Sequence, residues 1–171
     1  MTIPERTRPQ RLGDYLAIIT RAIFQAGLSW RIIASQWDAF ERLFDGFDPA
    51  TVAAFGEHDV ERLMADGGIV RSRKKILATV ANAATLREIE GRMGFAAYLR
   101  SFAAYEELAA DLRERFAFLG ELSVYYLLFR VGEPVPRFEE WERTIKGDHP
   151  RMREMVAHAR ARGLDETVPL G

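Results

Sequence analysis

Apolar residues recur at intervals of three and four along almost the whole chain. That spacing builds helices; strands need alternation instead. Leu12, Tyr15, Leu16, Ile19 and Ile23 mark one face of a first helix, and Gly27 ends it. Trp30, Ile33, Trp37, Phe40 and Leu43 mark a second. Asp48-Pro49 opens a short helix, because Asp48 can cap and Pro49 suits the first helical position. It stops near Gly56, and residues 59–65 form another, ended by Gly67-Gly68. Ser72 can cap a long helix to about Glu90, with Ile76, Val80, Ala83 and Leu86 inward. Further helices are expected over 95–102, 105–115, 122–131, 138–145 and 150–162. The loops are short, and neither a repeat nor a low-complexity tract is present. The expected fold class is all-α, with one compact helical domain over residues 1–171.

Composition narrows the partners. With 48% hydrophobic residues the chain can fill a core. It has no cysteine, which excludes disulfides, thiolate nucleophiles and Cys-based zinc sites and suits the cytoplasm. The first ten residues are polar and Arg/Pro-rich, unlike a signal peptide. No apolar run approaches the ~18–20 residues of a membrane span; the longest, 124–129, reads as a buried helix segment. A net charge of −1 argues weakly against nucleic acid, but distribution matters more than the sum. Arg71, Arg73, Lys74 and Lys75 form a dense cluster. Arg6, Arg8 and Arg11 lie near one end, Arg151, Arg153, Arg160 and Arg162 near the other. Acids gather at Glu133, Glu139, Glu140 and Glu142. Taken alone, any such run reads first as a solvated helix face.

Two segments have the form helix, Gly turn, helix: 60–76, turning at Gly67-Gly68, and 112–131, turning at Phe118-Leu119-Gly120. Such a turn can point backbone N–H groups at a phosphate. A plain αα-hairpin needs the same glycine for packing, so form alone does not decide. A third stretch, Phe24-Gln25-Ala26-Gly27-Leu28-Ser29-Trp30, is a helix end, a sharp break and a tryptophan at the next helix start. That tryptophan can join the core, or face solvent, a partner or a planar ligand.

The order of the motifs is more specific than any one of them. Gln25-Ala26-Gly27-Leu28-Ser29-Trp30 is followed by Phe47-Asp48-Pro49, Val52-Ala53 and Asp59-Val60-Glu61-Arg62-Leu63. Then come Gly68-Ile69-Val70-Arg71-Ser72-Arg73-Lys74-Lys75-Ile76, Asn82-Ala83, and Phe118-Leu119-Gly120 with Tyr125 behind it. Over residues 13–132 the chain resembles the 3-methyladenine DNA glycosylase I family, within the helix-hairpin-helix glycosylases. The resemblance implies an α-helical enzyme that bends DNA, flips out an alkylated base and cleaves its N-glycosidic bond. It implies a base pocket with Trp30 as stacking face, Gln25 as polar wall, and Ala22 and Tyr15 nearby. Leu119, Gly120 and Glu121 would offer backbone N–H groups to phosphate, with Arg71, Arg73 and Lys75 adding electrostatics. The expected partner is double-stranded DNA carrying a damaged base. The protein would act as a monomer, without cofactor, metal or membrane.

The departures fall on functional positions. The family pattern LEGxQAGLSW has a base-recognising Glu where this chain has Ala22, and Asp14 is two helical turns away. The family's YHDxEWG stretch is absent, and Tyr15 lies outside any such motif. The family's structural zinc joins the termini through two Cys and two His; this chain offers only His58, His149 and His158. Where the family reads GLVNDH, this chain reads Gly132-Glu133-Pro134-Val135-Pro136-Arg137, and Glu133, Glu139 and Glu140 read as a solvated acidic patch. Glu121 at a helix start reads as a dipole stabiliser that would repel a phosphate. Trp37 and Trp141 read as packing aromatics. No catalytic base is identified. Three functions stay open: a glycosylase with an altered pocket, a non-cleaving binder of damaged or bent DNA, and a helical interaction domain without a DNA role.

Overall fold

The computed structural model describes residues 2–171, and all regular structure among them is helical. The first helix, α1 (Leu12–Gln25), runs through the middle: Leu16, Ile19, Ile23 and Phe24 have no exposed surface. Asp14 starts it, accepting the backbone N–H groups of Gln10 and Arg11 at 2.8 and 3.0 Å. Gly27, at φ +75°, lets the chain turn away at its end.

The single helix expected from Trp30 to Leu43 is two, α2 (Trp30–Ser35) and α3 (Trp37–Leu43). The chain leaves α-geometry at Gln36, whose side-chain oxygen accepts the N–H of Val70 at 2.8 Å. A tertiary hydrogen bond thus interrupts a run whose apolar period is unbroken. Trp37, Phe40, Phe44 and Phe47 stack in series at 5.2–6.3 Å behind this break.

After a 3-10 turn at Asp45–Phe47 come α4 (Pro49–Ala53), capped by Asp48, and α5 (Glu57–Ala65). The latter begins two residues earlier than expected, because Asp59 accepts the N–H of Gly56 at 3.0 Å. Both pack on the long α6 (Arg73–Met93), capped by Ser72 as expected and ended by Gly94 at φ +84°. Next are α7 (Phe95–Leu99), α8 (Tyr105–Arg115) and α9 (Glu121–Arg130), then α10 (Phe138–Glu142) and α11 (Pro150–Ala161). Residues 124–129 of α9 are fully buried, as their unbroken apolarity requires. α1 packs against both α6 and α9, which fixes the relation of its C-terminal end to the start of α9. No helix among the described residues is long and apolar enough to cross a membrane.

Both terminal segments lie along the end of α9. Thr7 donates to the Arg130 carbonyl at 2.8 Å and Leu170 to that of Gly132 at 2.7 Å. This packing corrects the reading of Glu133, while Glu139 and Glu140 are exposed as expected. Glu133 is buried rather than solvated, and pairs with Arg100 at 3.1 Å. Glu139 is held by Arg160 with its pKa down to about 2, and Glu142 by Arg153 at 2.9 Å. The C-terminal arginines are therefore largely neutralised within the fold.

Candidate functional site

Side chains three and four apart share a helix face. The last turns of α1 present Ala22 and Gln25; the first turns of α9 present Leu122 and Tyr126, with Ser123 beside them. Because α1 and α9 pack together, these faces form two walls of one cleft, of about 350 Å³. Its mouth is made by the turn Ala26-Gly27-Leu28, by Trp30 at the start of α2, and by Phe118 and Gly120 of the α8–α9 hairpin. That size accommodates a small planar ligand.

Trp30 is half-buried, and meets Tyr126 edge-on at 5.4 Å. Arg130 donates to the Tyr126 hydroxyl at 2.7 Å, and its guanidinium lies 5.6 Å from that ring. Gln25 is 2% exposed, and its oxygen accepts from Arg21 Nε at 3.2 Å. Arg21 in turn lies over Trp37 at 5.1 Å, and burial depresses its pKa. Gln25 Nε2 is the one buried side-chain nitrogen or oxygen among the described residues with no hydrogen-bond partner. A second hollow of about 310 Å³ between α8 and α10, around Tyr105 and Trp141, holds no such orphan.

The hairpin is fixed from below. Asn82, buried on α6, accepts the Ala117 N–H at 2.8 Å and donates to the Ala117 carbonyl at 3.1 Å. Phe118 then sits at φ +60°, costly for a residue with a side chain, and is 52% exposed at the mouth. Gly120 has φ −94°, and a Cβ there would meet nothing within 4 Å. Neither the turn nor packing calls for glycine, so its effect is to leave bare backbone at the mouth. No side chain caps α9, so its first N–H groups are unclaimed. Removing the clamp with Asn82→Ala strands two partly buried backbone groups. It is expected to lower stability by about 1–3 kcal/mol, read as a shift in the urea midpoint.

The other expected site residues separate. Leu119 is buried under the hairpin, so only its backbone is on offer. Glu121 lies at the cleft rim, exposed and 3.4 Å from Arg113, which offsets its charge. Lys75 donates to the Ala26 carbonyl at 3.0 Å and so braces the turn at the mouth; burial lowers its pKa. Arg73 staples α6 to α5 through Glu61, at 3.0 Å, and Glu57. Arg71 is exposed, as is Lys74, and among the described residues neither has an ion-pair partner. The structure does not bring Tyr15 to the cleft: it packs edge-on against Phe95 at 4.8 Å, in a recess with Leu12 and Glu90. No pattern in the sequence marks Arg21, Ser123 or Tyr126, which also border the cleft or its Gln25 wall. A zinc site does not fit: His58 lies on α5, His149 just precedes α11, and His158, within α11, engages Glu5 at 3.2 Å. No three His, Cys, Asp or Glu side chains converge among the described residues.

The family model of methyladenine glycosylases matches residues 13–118, more than half of the chain. The chain belongs to this family. The matched span opens at the start of α1 and closes at the hairpin tip, so it contains Ala22, Gln25, Trp30 and Asn82. DNA-3-methyladenine glycosylase 1 of Escherichia coli K12 is 46% identical over 66 residues, which are 39% of this chain and 35% of that protein. The aligned segment thus spans about a third of that relative's length. A DNA-3-methyladenine glycosylase of Haemophilus influenzae is 27% identical, over 63% of this chain and 70% of its own. Among solved structures, a 3-methyladenine DNA glycosylase I from Staphylococcus aureus superposes with a TM-score of 0.64 at 26% identity, covering 74% of this chain and 79% of that one. Another 3-methyladenine DNA glycosylase I gives a TM-score of 0.65 at 29% identity, over 74% and 81%. The all-helical architecture is therefore that of the family.

Proposed function

We propose that the chain is a DNA glycosylase of base-excision repair that hydrolyses the N-glycosidic bond of an alkylated purine. The observation that carries this is one cleft in which a tryptophan face, an unpartnered buried amide and bare hairpin backbone converge. The relatives, named for 3-methyladenine, supply the reaction class. A base in a duplex is out of reach of any pocket, so it must swing out of the stack first. The N–H groups of Gly120 and Glu121 would hold the strand by its phosphate, with the start of the helix dipole behind them. Exposed Leu28 and Phe118, on either side of the mouth, would fill the gap left in the stack. The flipped base would lie against Trp30.

A purine alkylated at N3 is cationic, and the π face of Trp30 attracts it. Cleavage breaks the bond from C1′ of the sugar to N9; the bonding pair leaves with the base, whose positive charge it neutralises. Water adds to C1′ and loses a proton. A leaving group so activated needs little acid catalysis. The chain's task is to hold the base, exclude bulk water and place one water molecule. No carboxylate lies within the cleft, and Glu121 at its rim is already paired. That observation favours, as the second reading, a protein that binds damaged DNA without cleaving it. A cytoplasmic monomer with a single domain over residues 1–171 completes the proposal.

Release of free base from DNA treated with a methylating agent tests the activity. No release, together with salt-sensitive binding, favours the second reading. Arg71 and Lys74, exposed and without ion-pair partners among the described residues, would make non-specific phosphate contacts. Arg71→Gln and Lys74→Gln are each expected to weaken binding of all sequences alike and to reduce the slope of log K against log salt by about 1. An unchanged slope in both would place the DNA elsewhere.

A further inference from the structure

We infer that the cleft selects a purine by a 6-oxo edge, so that alkylated guanine is preferred over alkylated adenine. The inference deepens the glycosylase reading and rests on it. Arginine has donors and no acceptor. The contact from Arg21 Nε therefore fixes the Gln25 amide with its oxygen toward Arg21 and its NH2 turned away. Gln25 lines the cleft, and its NH2 is buried without a partner among the described residues. A buried donor left unpaired is costly, so the ligand should bring the acceptor.

The rest of the inner wall reinforces the choice. One turn before Gln25, Ala22 presents only a methyl group. Leu122 and Trp30 offer no acceptor. The Tyr126 hydroxyl already takes a hydrogen from Arg130, and only the Ser123 hydroxyl can adapt either way. The carboxylate of Glu121 stays at the exposed rim with Arg113. Guanine presents N7 and O6 as adjacent acceptors; adenine presents N7 beside an amine that donates. The two hydrogens of the Gln25 amide can meet both guanine acceptors. Against adenine one of them faces the amine, donor to donor, with no carboxylate near to take it. Desolvated donors of this kind reject the mismatched edge more strongly than a cavity rejects a small change of shape.

The test is single-turnover release of bases from DNA methylated at mixed sites, with 3-methylguanine and 3-methyladenine quantified from the same sample. The wild type is expected to release 3-methylguanine faster, by about tenfold. Gln25→Glu keeps the shape but gives an acceptor, and is expected to move the preference toward 3-methyladenine. Faster release of 3-methyladenine by the wild type would overturn the inference, as would a ratio unchanged in Gln25→Glu. A second readout needs neither turnover nor a variant: the side-chain amide resonances of 15N-labelled wild-type protein. The Gln25 amide should shift on addition of free 3-methylguanine, and less with 3-methyladenine. A shift without base release would uphold the pocket chemistry and sink the catalytic reading. No shift and no release would sink both.

Discussion

Replacing Trp30 with alanine is expected to lower release of alkylated base by about 10- to 100-fold, since stacking of one base on an aromatic ring contributes about 1–3 kcal/mol. Binding to undamaged duplex should change little, because the phosphate contacts proposed for Gly120, Glu121, Arg71 and Lys74 do not involve this ring. Stability should also fall only modestly. Trp30 is half-buried at the edge of the core, begins a six-residue helix and meets Tyr126 edge-on. Trp30→Phe, which keeps a π face, should recover much of the lost activity; a purely steric role would be met equally well by leucine. The decisive comparison is lesion-containing against undamaged DNA at one salt concentration. Equal losses on both would make Trp30 a general surface contact and remove the ligand face from the cleft.

What could be read from the sequence follows the range of each interaction. α1 and α6 declare themselves because apolar residues recur at helical spacing and local signals mark one end of each, Gly27 and Ser72. The break at Gln36 has no local signal, because its cause is a hydrogen bond to Val70 across 34 positions. Glu133 looks solvated in a run of acids until Arg100, 33 positions earlier, is seen beside it. The cleft divides in the same way. Gln25 and Trp30 stand out because a helix end and a glycine break bracket them. Tyr126 does not, because it sits beside Tyr125 in an unbroken apolar run where no period separates the two. Only the packing of α1 on α9 turns Tyr126 toward Trp30 and leaves Tyr125 stacked on Trp141 at 4.0 Å. The orphan amide of Gln25 is a property of all its neighbours together, and no sequence spacing encodes it.

The largest effect on stability is expected at Arg6, far from the cleft. The residue is 5% exposed, and its guanidinium donates to four backbone carbonyls: Phe129 at 3.1 Å, Glu133 at 2.9 Å, Asp165 at 2.9 Å and Val168 at 3.2 Å. Two belong to the end of α9 and the turn after it, and two to the C-terminal tail. One planar fork therefore joins both terminal segments to the helix that carries half of the cleft. Burial depresses its pKa, with Glu166 foremost among the charges that oppose the shift. Among the described residues a guanidinium, not a cluster of metal-ligating side chains, ties these segments together. Arg6→Ala leaves four carbonyls short of a donor and is expected to cost about 3–5 kcal/mol. In a chain of this size that corresponds to a drop in Tm of roughly 10 °C. Arg6→Lys should recover little, since an ammonium cannot span carbonyls set to a planar fork. Base release per folded molecule, assayed well below the lowered Tm, should stay near the wild-type value, because the cleft lies at the opposite end of α9. A chelator should leave the wild-type Tm where it is. An Arg6→Ala loss under about 1 kcal/mol would mean that the tail detaches freely, and that α1, α6 and α9 hold the cleft together without it.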